Sequence, residues 1–265
     1  MIRLIVTDMD GCLLDGAGKL PPDFRRAYGL IREKDVVFAA ASGRSLDGLK
    51  KPFGEFADGM TFITDNGARV FHRGELLFQE ALDPEDVRPA LEEIRRIDGL
   101  VCLACGEEKI WTEQPERITG WAEQEIRKYY PVLHECDLTD VPEAVIKFAI
   151  LYSGDIEKDI YPGLKQFDNE RLRVQVTSFP WIDIYAKNVS KGSGVGKLRE
   201  KLGILSSETA VFGDYLNDLS MADYADHSYA PANAHPEVLK RYTEVIRPNT
   251  EYGVTAKMIE LLEQA

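Results

Sequence analysis

A chain of 265 residues with 44% hydrophobic residues is long enough for one large domain or two modest ones with a sizeable core. The formal net charge of −13 argues against a general nucleic-acid-binding protein and against attraction to anionic membranes. The N-terminus lacks the basic, apolar and small-residue segments of a signal peptide, and no apolar run approaches the roughly 18 residues that span a membrane. We therefore expect a cytoplasmic protein without a nucleic-acid or membrane partner.

Four short apolar segments each run into a polar or small residue, at the point where a strand would end. In chain order they are RLIVTD ending at Asp8, DVVFAAASGR with Ser42, MTFITDNG with Asn66 and TAVFGD ending at Asp214. Three of them lack the alternation of a half-exposed strand, which is typical of parallel strands buried on both faces. Helical patterns cover residues 21–35, 194–204, 216–225 and 252–265. This succession predicts a doubly wound, Rossmann-like α/β sheet whose site lies beyond the carboxyl ends of the strands.

The middle of the chain has a different pattern. Helices are predicted over 84–98, 115–130 and 155–168, and strands over 99–105, 109–113, 144–153, 171–178 and 181–186. The segment ARVFHRGELLFQ (68–79), with its HRG turn, predicts a hairpin that leads into this region. About a hundred residues are enough for a separate core, so we predict an inserted α/β domain over residues 82–186. The first domain is then discontinuous and comprises residues 1–81 and 187–265.

Two acids, Asp8 and Asp10, follow the first apolar run and precede Gly11. If the strand geometry continues, residues two apart point to the same side, so the two carboxylates converge. Converging carboxylates need a cation or a shared proton, and Mg²⁺ prefers such oxygen ligands and often links them to a phosphate. The spacing therefore favours a magnesium site at Asp8 and Asp10, whereas a single acid at a strand end is usually a solvated cap.

Two other strand ends carry groups that suit the same chemistry. Ser42 and the Gly43 amide lie where a strand turns into a helix, and backbone N–H groups at such positions bind anions. Further along, Asp214, Asn217 and Asp218 supply three oxygen ligands, and acids four apart face the same way once a helix starts. Each feature also has a purely structural explanation, because such turns are common and acids are favoured at helix N-termini.

Together with Lys191, which precedes a predicted helix, these motifs resemble those of the haloacid dehalogenase superfamily of aspartate-nucleophile phosphohydrolases. The resemblance covers essentially the whole chain. The matching motifs are, in family order, Asp8-Met9-Asp10-Gly11, Ser42-Gly43-Arg44, Lys191-Gly192 and the stretch from Gly213 to Met221. The DNGA sequence at 65–68 and an insertion between the second and third motifs resemble the Cof-like branch, which has a large α/β cap at that place. The resemblance therefore implies a catalytic core over 1–81 and 187–265, and a cap over 82–186 that determines substrate specificity.

The resemblance also implies a role for each motif residue. Asp8 is expected to be the nucleophile that forms an aspartyl-phosphate, which divides the displacement into two easier steps. Asp10 is expected to protonate the leaving oxygen and then to activate water. The expected Mg²⁺ ligands are Asp8, the Asp10 main-chain carbonyl and Asp214, with Asp218 in or near the coordination shell, either as a direct ligand or through a water molecule. The expected phosphate-binding groups are Ser42, the Gly43 amide, Lys191 and Asn217.

Three functions fit these residues. The first is an Mg²⁺-dependent phosphatase of a small phosphorylated metabolite, such as a sugar phosphate or a phosphorylated cofactor. The second is a phosphomutase on hexose phosphates, which passes the same phosphoryl group to another hydroxyl. The third is a signalling module that keeps the phosphorylated aspartate without turnover; Asp10 argues against it, since a general acid and base two residues away speeds hydrolysis. The sequence specifies neither the substrate nor the oligomeric state.

Overall fold

The computed structural model describes residues 1–128, 130, 132–178 and 180–264. They form two compact units, designated unit 1 (Met1–Gln79 with Val189–Ala265) and unit 2 (Glu80–Asn188). Each boundary lies two residues from the predicted one, and the roles of the two units as catalytic core and cap stay predictions. Residues 129, 131, 179 and 265, which fall within the predicted insertion or the predicted final helix, lie outside this description.

The strands and helices have the following bounds. The strands are β1 (Leu4–Asp8), β2 (Val37–Ala41), β3 (Thr61–Thr64), β4 (Arg69–His72), β5 (Glu75–Gln79), β6 (Val101–Gly106), β7 (Ile110–Thr112), β8 (His134–Glu135), β9 (Val145–Leu151), β10 (Leu172–Ser178), β11 (Trp181–Ala186), β12 (Thr209–Phe212), β13 (His227–Pro231) and β14 (Glu244–Ile246). The α-helices are α1 (Phe24–Glu33), α2 (Leu46–Lys50), α3 (Pro84–Ile94), α4 (Gly120–Arg127), α5 (Tyr161–Leu164), α6 (Lys191–Leu202), α7 (Pro236–Arg241) and α8 (Gly253–Glu263). In the described part of the chain, no helix combines the length and the apolar character needed to cross a membrane.

Unit 1 is built on one sheet with the strand order β14-β13-β12-β1-β2-β3-β4-β5. The strands from β14 to β3 run parallel, and β4 and β5 form an antiparallel hairpin at one edge. The doubly wound parallel-sheet core predicted from the uninterrupted apolar runs is thereby confirmed. The hairpin predicted over 68–79 is also present.

Two apolar layers cover this sheet, because successive strand residues point to opposite faces. On β1, Ile5 packs in one layer with residues of α1 and α8, including Ala27 and Met258. Leu4 and Val6 pack in the other layer with residues of α6 and α7. Both faces of β1 are therefore buried, and each fully buried aliphatic side chain contributes roughly 1.5–3 kcal/mol to the free energy of unfolding.

The strand order brings three distant chain segments to one edge of the sheet. β1 lies between β2 and β12, with Asp8 opposite Ala41 of β2. Ser42 follows Ala41 directly, and Asp214 lies two residues beyond the end of β12. β1 is also the point at which the strand order reverses, and sheets of this kind bind ligands beyond the carboxyl ends of the strands at that point.

Unit 2 has its own six-stranded sheet, in the order β10-β11-β9-β6-β7-β8. Its neighbouring strands are antiparallel, except that β7 and β8 are parallel. The N-terminus of α3 is capped by Asp83, which accepts a hydrogen bond from the Glu85 amide at 3.0 Å. Lys147 of β9 and Asp183 of β11 form a buried ion pair at 2.8 Å.

Several local predictions differ from the structure. The predicted helix over 115–130 is a 3-10 turn, Pro115–Arg117, followed by the shorter α4, and α2, α7, β13 and β14 were not predicted. The predicted helix over 155–168 is divided into a π turn, the short α5 and a 3-10 turn, because Pro162 lacks the N–H donor of a continuous helix. The predicted helix over 216–225 is a 3-10 segment, Leu216–Asp223. β8 was not predicted, because a strand of two residues is too short to show an alternating pattern.

Candidate active site

β1 ends at Asp8, and the chain turns away at once. The next five residues form a π turn in which Gly11 has a φ of 83°. A Cβ at Gly11 would lie 2.4 Å from Asp214 Oδ2, so only glycine fits both the backbone angle and the space. The expectation that strand geometry continues to Asp10 is therefore wrong. Asp8 is buried, whereas Asp10 is exposed and its Oδ1 accepts a hydrogen bond from Arg44 Nη2 at 2.7 Å.

Lys191 lies between two of the acids. Its Nζ donates to Asp8 Oδ1 at 2.5 Å and to Asp218 Oδ1 at 2.7 Å, and its side chain is 2% exposed. Lys191 is the first residue of α6, and Ser190 caps this helix end by accepting a hydrogen bond from the Ser193 amide at 3.0 Å. Burial disfavours the charged lysine, but Asp218 and Asp8 outweigh it and raise the pKa of Lys191. The ammonium group therefore stays charged and offsets part of the negative charge around it.

Asp218 is completely buried, and protein groups bind both of its carboxylate oxygens. Oδ1 accepts from Lys191, and Oδ2 accepts from the backbone N–H groups of Asp214 and Tyr215 at 2.9 and 3.0 Å. Tyr242 Oη donates to the Asp218 carbonyl at 2.8 Å. Asp218 therefore caps the 3-10 segment that contains it and fixes the loop that carries Asp214.

Asp214 completes a cluster of three carboxylates with Asp8 and Asp218, in which one oxygen of each lies within 4.8 Å of the others. Burial, followed by the charges of Asp8 and Asp218, raises the pKa of Asp214 to about 8. Burial also raises the pKa of Asp8 to about 6, although Lys191 opposes this change. Asp214 Oδ1 is buried without a hydrogen-bond partner among the described residues. An unpartnered buried oxygen beside two further carboxylates fits a hard divalent cation such as Mg²⁺.

The predicted phosphate-binding loops lie at the same edge of the sheet. The hydroxyl oxygen of Ser42 accepts from the Arg44 amide at 3.2 Å, and its carbonyl accepts from the Asn66 amide at 3.0 Å. Asn217 Nδ2 donates to Asn66 Oδ1 at 3.3 Å. A Cβ at Gly43 would lie 3.1 Å from Asn66 Nδ2. Asn66 therefore joins the loops that follow β2, β3 and β12.

Four predicted site residues form one buried or half-buried group in the structure, namely Asp8, Lys191, Asp214 and Asp218. The carboxylate of Asp10 is not part of it and pairs with Arg44 instead. Asn66 and Arg44 were not predicted as site residues. Both belong to motifs visible in the sequence, DNGA and SGR, but one sequence does not show that Asn66 contacts Asn217 across 151 positions. The catalytic and binding roles assigned to the motif residues stay predictions.

A doubly wound sheet that places buried carboxylates and a lysine beyond its central strand defines a Rossmann-like α/β core with an acidic site. The family model of the haloacid dehalogenase-like hydrolases matches residues 5–259, and the chain belongs to this family. The family predicted from the motifs is therefore confirmed, together with its enzyme class, the phosphoric monoester hydrolases.

The similar proteins match over nearly their whole length. The chain is 27% identical to the 5-amino-6-(5-phospho-D-ribitylamino)uracil phosphatase YbjI of Escherichia coli (strain K12), with 96% of this chain and 93% of the relative covered. It is 25% identical to the HMP-PP phosphatase of Klebsiella pneumoniae (strain 342), with coverages of 90% and 87%. The solved structure of SMU.1108c from Streptococcus mutans UA159 matches with a TM-score of 0.84 and 25% identity, over 99% of this chain and 100% of that one. TM0651 from Thermotoga maritima has the same fold, with a TM-score of 0.85, 23% identity and coverages of 100% and 98%.

Proposed function

We propose that the protein is an Mg²⁺-dependent phosphatase that hydrolyses a small phosphorylated metabolite through an aspartyl-phosphate intermediate. The observation that carries this proposal is the buried contact of Lys191 with Asp8, beside an oxygen of Asp214 that has no hydrogen-bond partner among the residues the structure describes. Burying several carboxylates together costs free energy that apolar side chains of similar volume would not cost. The cluster is therefore better explained as a functional site whose charge is balanced by a cation.

In the proposed first step, a carboxylate oxygen of Asp8 attacks the phosphorus of the substrate. A bond forms between Asp8 and phosphorus, and the bond from phosphorus to the leaving oxygen breaks. Asp10 transfers its proton to that oxygen, so that a neutral alcohol leaves. Asp10 is accessible for this exchange, since its side chain is 60% exposed, and Arg44 fixes the orientation of its Oδ1.

In the proposed second step, Asp10 is a carboxylate and accepts a proton from a water molecule. The water oxygen bonds to phosphorus while the bond between phosphorus and Asp8 breaks, which releases inorganic phosphate. Both acids then return to their starting states, with the proton on Asp10. The same residue thus acts first as an acid and then as a base.

Positive charge and hydrogen-bond donors around the transferring group supply most of the catalysis in phosphoryl transfer. The groups proposed to bind the phosphoryl oxygens are Lys191, the Ser42 hydroxyl, the Gly43 amide and Asn217. The proposed Mg²⁺ ligands are Asp8, the Asp10 main-chain carbonyl, Asp214 and Asp218. When bound, Mg²⁺ offsets the negative charge of the carboxylates and polarises the phosphoryl group.

The relatives support a small phosphorylated metabolite as the substrate. The relatives from Escherichia coli and Klebsiella pneumoniae are named as phosphatases of a phosphoribitylamino-uracil and of HMP-PP. We propose a substrate of the same size class for this chain, either a sugar phosphate or a phosphorylated cofactor. We also propose that unit 2 is a cap that selects this substrate.

Phosphate release from p-nitrophenyl phosphate, and from a panel of phosphorylated sugars and cofactors, tests the proposal. We expect Mg²⁺-dependent turnover, and a loss of roughly 10³-fold or more in Asp8→Asn, because an amide is not a nucleophile for phosphorus. Asp35→Asn is the matched control, since this acid is 98% exposed and lies outside the cluster. Full activity of Asp8→Asn would contradict the mechanism. A positional isomer of a hexose phosphate without free phosphate would identify a mutase, and a stable phosphorylated chain without turnover would identify a signalling module.

A further inference from the structure

Three consecutive residues directly after β3 have a positive φ: Asp65 (51°), Asn66 (56°) and Gly67 (102°). Residues with a side chain rarely adopt this conformation, and a backbone kept in it is strained unless its surroundings compensate. The described chain has five such residues other than glycine, and two of them are neighbours in this turn. Strain of this kind is concentrated at functional sites, where it serves to place a particular side chain.

Polar contacts and close packing fix the turn. The buried Asp65 Oδ2 accepts from Thr64 Oγ1 at 2.8 Å, and from Arg69 Nε and Nη2 at 3.0 and 2.9 Å. At the other end of the turn, Gly67 packs so closely on the start of α6 that a Cβ would lie 2.0 Å from the Ser190 carbonyl oxygen. The turn is therefore bound on one side to β4 and on the other to α6, the helix that begins with Lys191.

The turn places the Asn66 side chain against two loops of the proposed phosphate site. The Asn66 N–H donates to the Ser42 carbonyl at 3.0 Å, which fixes its position relative to the loop after β2. Its Oδ1 accepts from Asn217 Nδ2 at 3.3 Å. Its amide also lies beside Gly43, where a Cβ would be 3.1 Å from Nδ2 and 3.2 Å from Oδ1.

We infer that Asn66 is a positioning residue for the phosphoryl-binding donors, and that the strained turn serves to present its amide. The side-chain nitrogen of Asn217 has two protons. Asn66 accepts one of them, so the amide of Asn217 has a fixed orientation and its second proton is left for a phosphoryl oxygen. This inference rests on the proposed function, because it takes Asn217 as a ligand of the phosphoryl group.

A residue that orients a hydrogen-bond donor acts on binding more than on chemistry. Loss of one well-oriented hydrogen bond weakens binding roughly tenfold. Substrate and inorganic phosphate share the same phosphoryl contacts, so KM and the Kd of inorganic phosphate should rise by a similar factor. The same contact is made before and during the reaction, so kcat should change by less than about twofold.

The test uses Asn66→Gly in the full chain with Mg²⁺, by calorimetric titration with inorganic phosphate and by steady-state kinetics on p-nitrophenyl phosphate. Glycine adopts a φ of 56° without strain, so the backbone of the turn is kept and only the side chain is lost. The matched control is Arg73→Gly, which replaces another residue with a φ of 50°, in the turn between β4 and β5. Asn217→Ala and the double variant complete a double-mutant cycle.

We expect the phosphate Kd and KM to rise roughly tenfold in Asn66→Gly and to stay unchanged in Arg73→Gly. Adding Asn66→Gly to Asn217→Ala should raise the Kd by less than about twofold more, because the donor to be oriented is already absent. An unchanged phosphate affinity in Asn66→Gly, or multiplicative effects in the cycle, would overturn the inference. If the unchanged chain hydrolyses no phosphate ester, the proposed function fails, and the phosphate Kd still decides the role of Asn66.

Discussion

Gly67→Ala tests how closely unit 1 fixes the loops of its active site. Gly67 has a φ of 102°, and an added Cβ would lie 2.0 Å from the Ser190 carbonyl oxygen and 3.3 Å from the Gly194 nitrogen. These are backbone atoms of the first turn of α6, so no side chain can rotate to relieve the overlap. Either the turn after β3 or the helix end that carries Lys191 has to move.

The expected cost has two parts, and a matched variant separates them. An alanine at positive φ lowers the free energy of unfolding by about 1–2 kcal/mol. Alanine also restricts the unfolded chain, which offsets about 0.4–1 kcal/mol of this loss. Gly74→Ala measures this part alone, since Gly74 has a φ of 87° and nothing lies within 4 Å of the added Cβ. Overlap in a packed interior adds roughly 1–3 kcal/mol. We therefore expect about 1 kcal/mol for Gly74→Ala and roughly 2–4 kcal/mol for Gly67→Ala.

Urea unfolding followed by circular dichroism gives the free energy of unfolding of both variants and of the unchanged chain. The Kd of inorganic phosphate should also rise in Gly67→Ala and stay constant in Gly74→Ala, because only the first displaces the start of α6. If Gly67→Ala destabilises the chain no more than Gly74→Ala does, the close approach to Ser190 costs nothing and the reasoning is refuted.

Two further predictions concern buried charge. Arg69→Met should lower the free energy of unfolding by roughly 3–5 kcal/mol, because it removes the ion-pair partner of the buried Asp65. The control is Arg25→Met, which breaks an exposed ion pair and should lower the free energy of unfolding by at most about 1 kcal/mol in the same urea titrations. With divalent cations removed by EDTA, we expect the melting temperature to fall as the pH rises from about 4 to about 8. Asp8 and Asp214 have pKa values raised to about 6 and about 8, so the folded chain keeps protons that the unfolded chain has already released. Asp214→Asn should make the melting temperature depend less on pH. Mg²⁺ should raise the melting temperature most near pH 8, where the carboxylates are ionised. If the slope against pH is the same in Asp214→Asn, Asp214 is not the group that causes the pH dependence.

The positions of the strand ends could be predicted from the sequence, but the contacts between the loops could not. Uninterrupted apolar runs are typical of strands covered on both faces, and parallel strands end at one edge, so Asp8, Ser42 and Asp214 were expected to lie together. The contact between Asn66 and Asn217 depends on two consecutive residues with positive φ, which are stabilised by partners from other segments. Asp, Asn and Gly are the residues that most readily adopt a positive φ, so the sequence is compatible with such a turn, but it does not show that the turn brings Asn66 to Asn217.

Asp10 shows why spacing alone is an incomplete guide. Its distance of two residues from Asp8 predicted that the carboxylates converge, provided that the strand continues. Gly11, with a φ of 83°, belongs to a tight turn that begins immediately after Asp8. The two carboxylates are thereby placed in different environments, one buried beside Lys191 and the other exposed beside Arg44. Different environments suit the two roles proposed for these residues, the nucleophile for Asp8 and the proton donor and acceptor for Asp10.

The charge of the buried cluster gives a further reason for a divalent cation. Among the described residues, Lys191 is the cation that hydrogen-bonds to this cluster, through Asp8 and Asp218. Three ionised carboxylates and one ammonium group leave two uncompensated negative charges. Protons could neutralise them, but a protonated Asp8 is not a nucleophile. One divalent cation neutralises the group and leaves Asp8 ionised. Asp214 Oδ1, a buried oxygen with no hydrogen-bond partner in the described part of the chain, can bind it. A net charge of −13 therefore does not prevent phosphate binding, because ions in solution screen the surface acids beyond about 10 Å. The charge that the phosphate meets in the site depends on Lys191 and the cation.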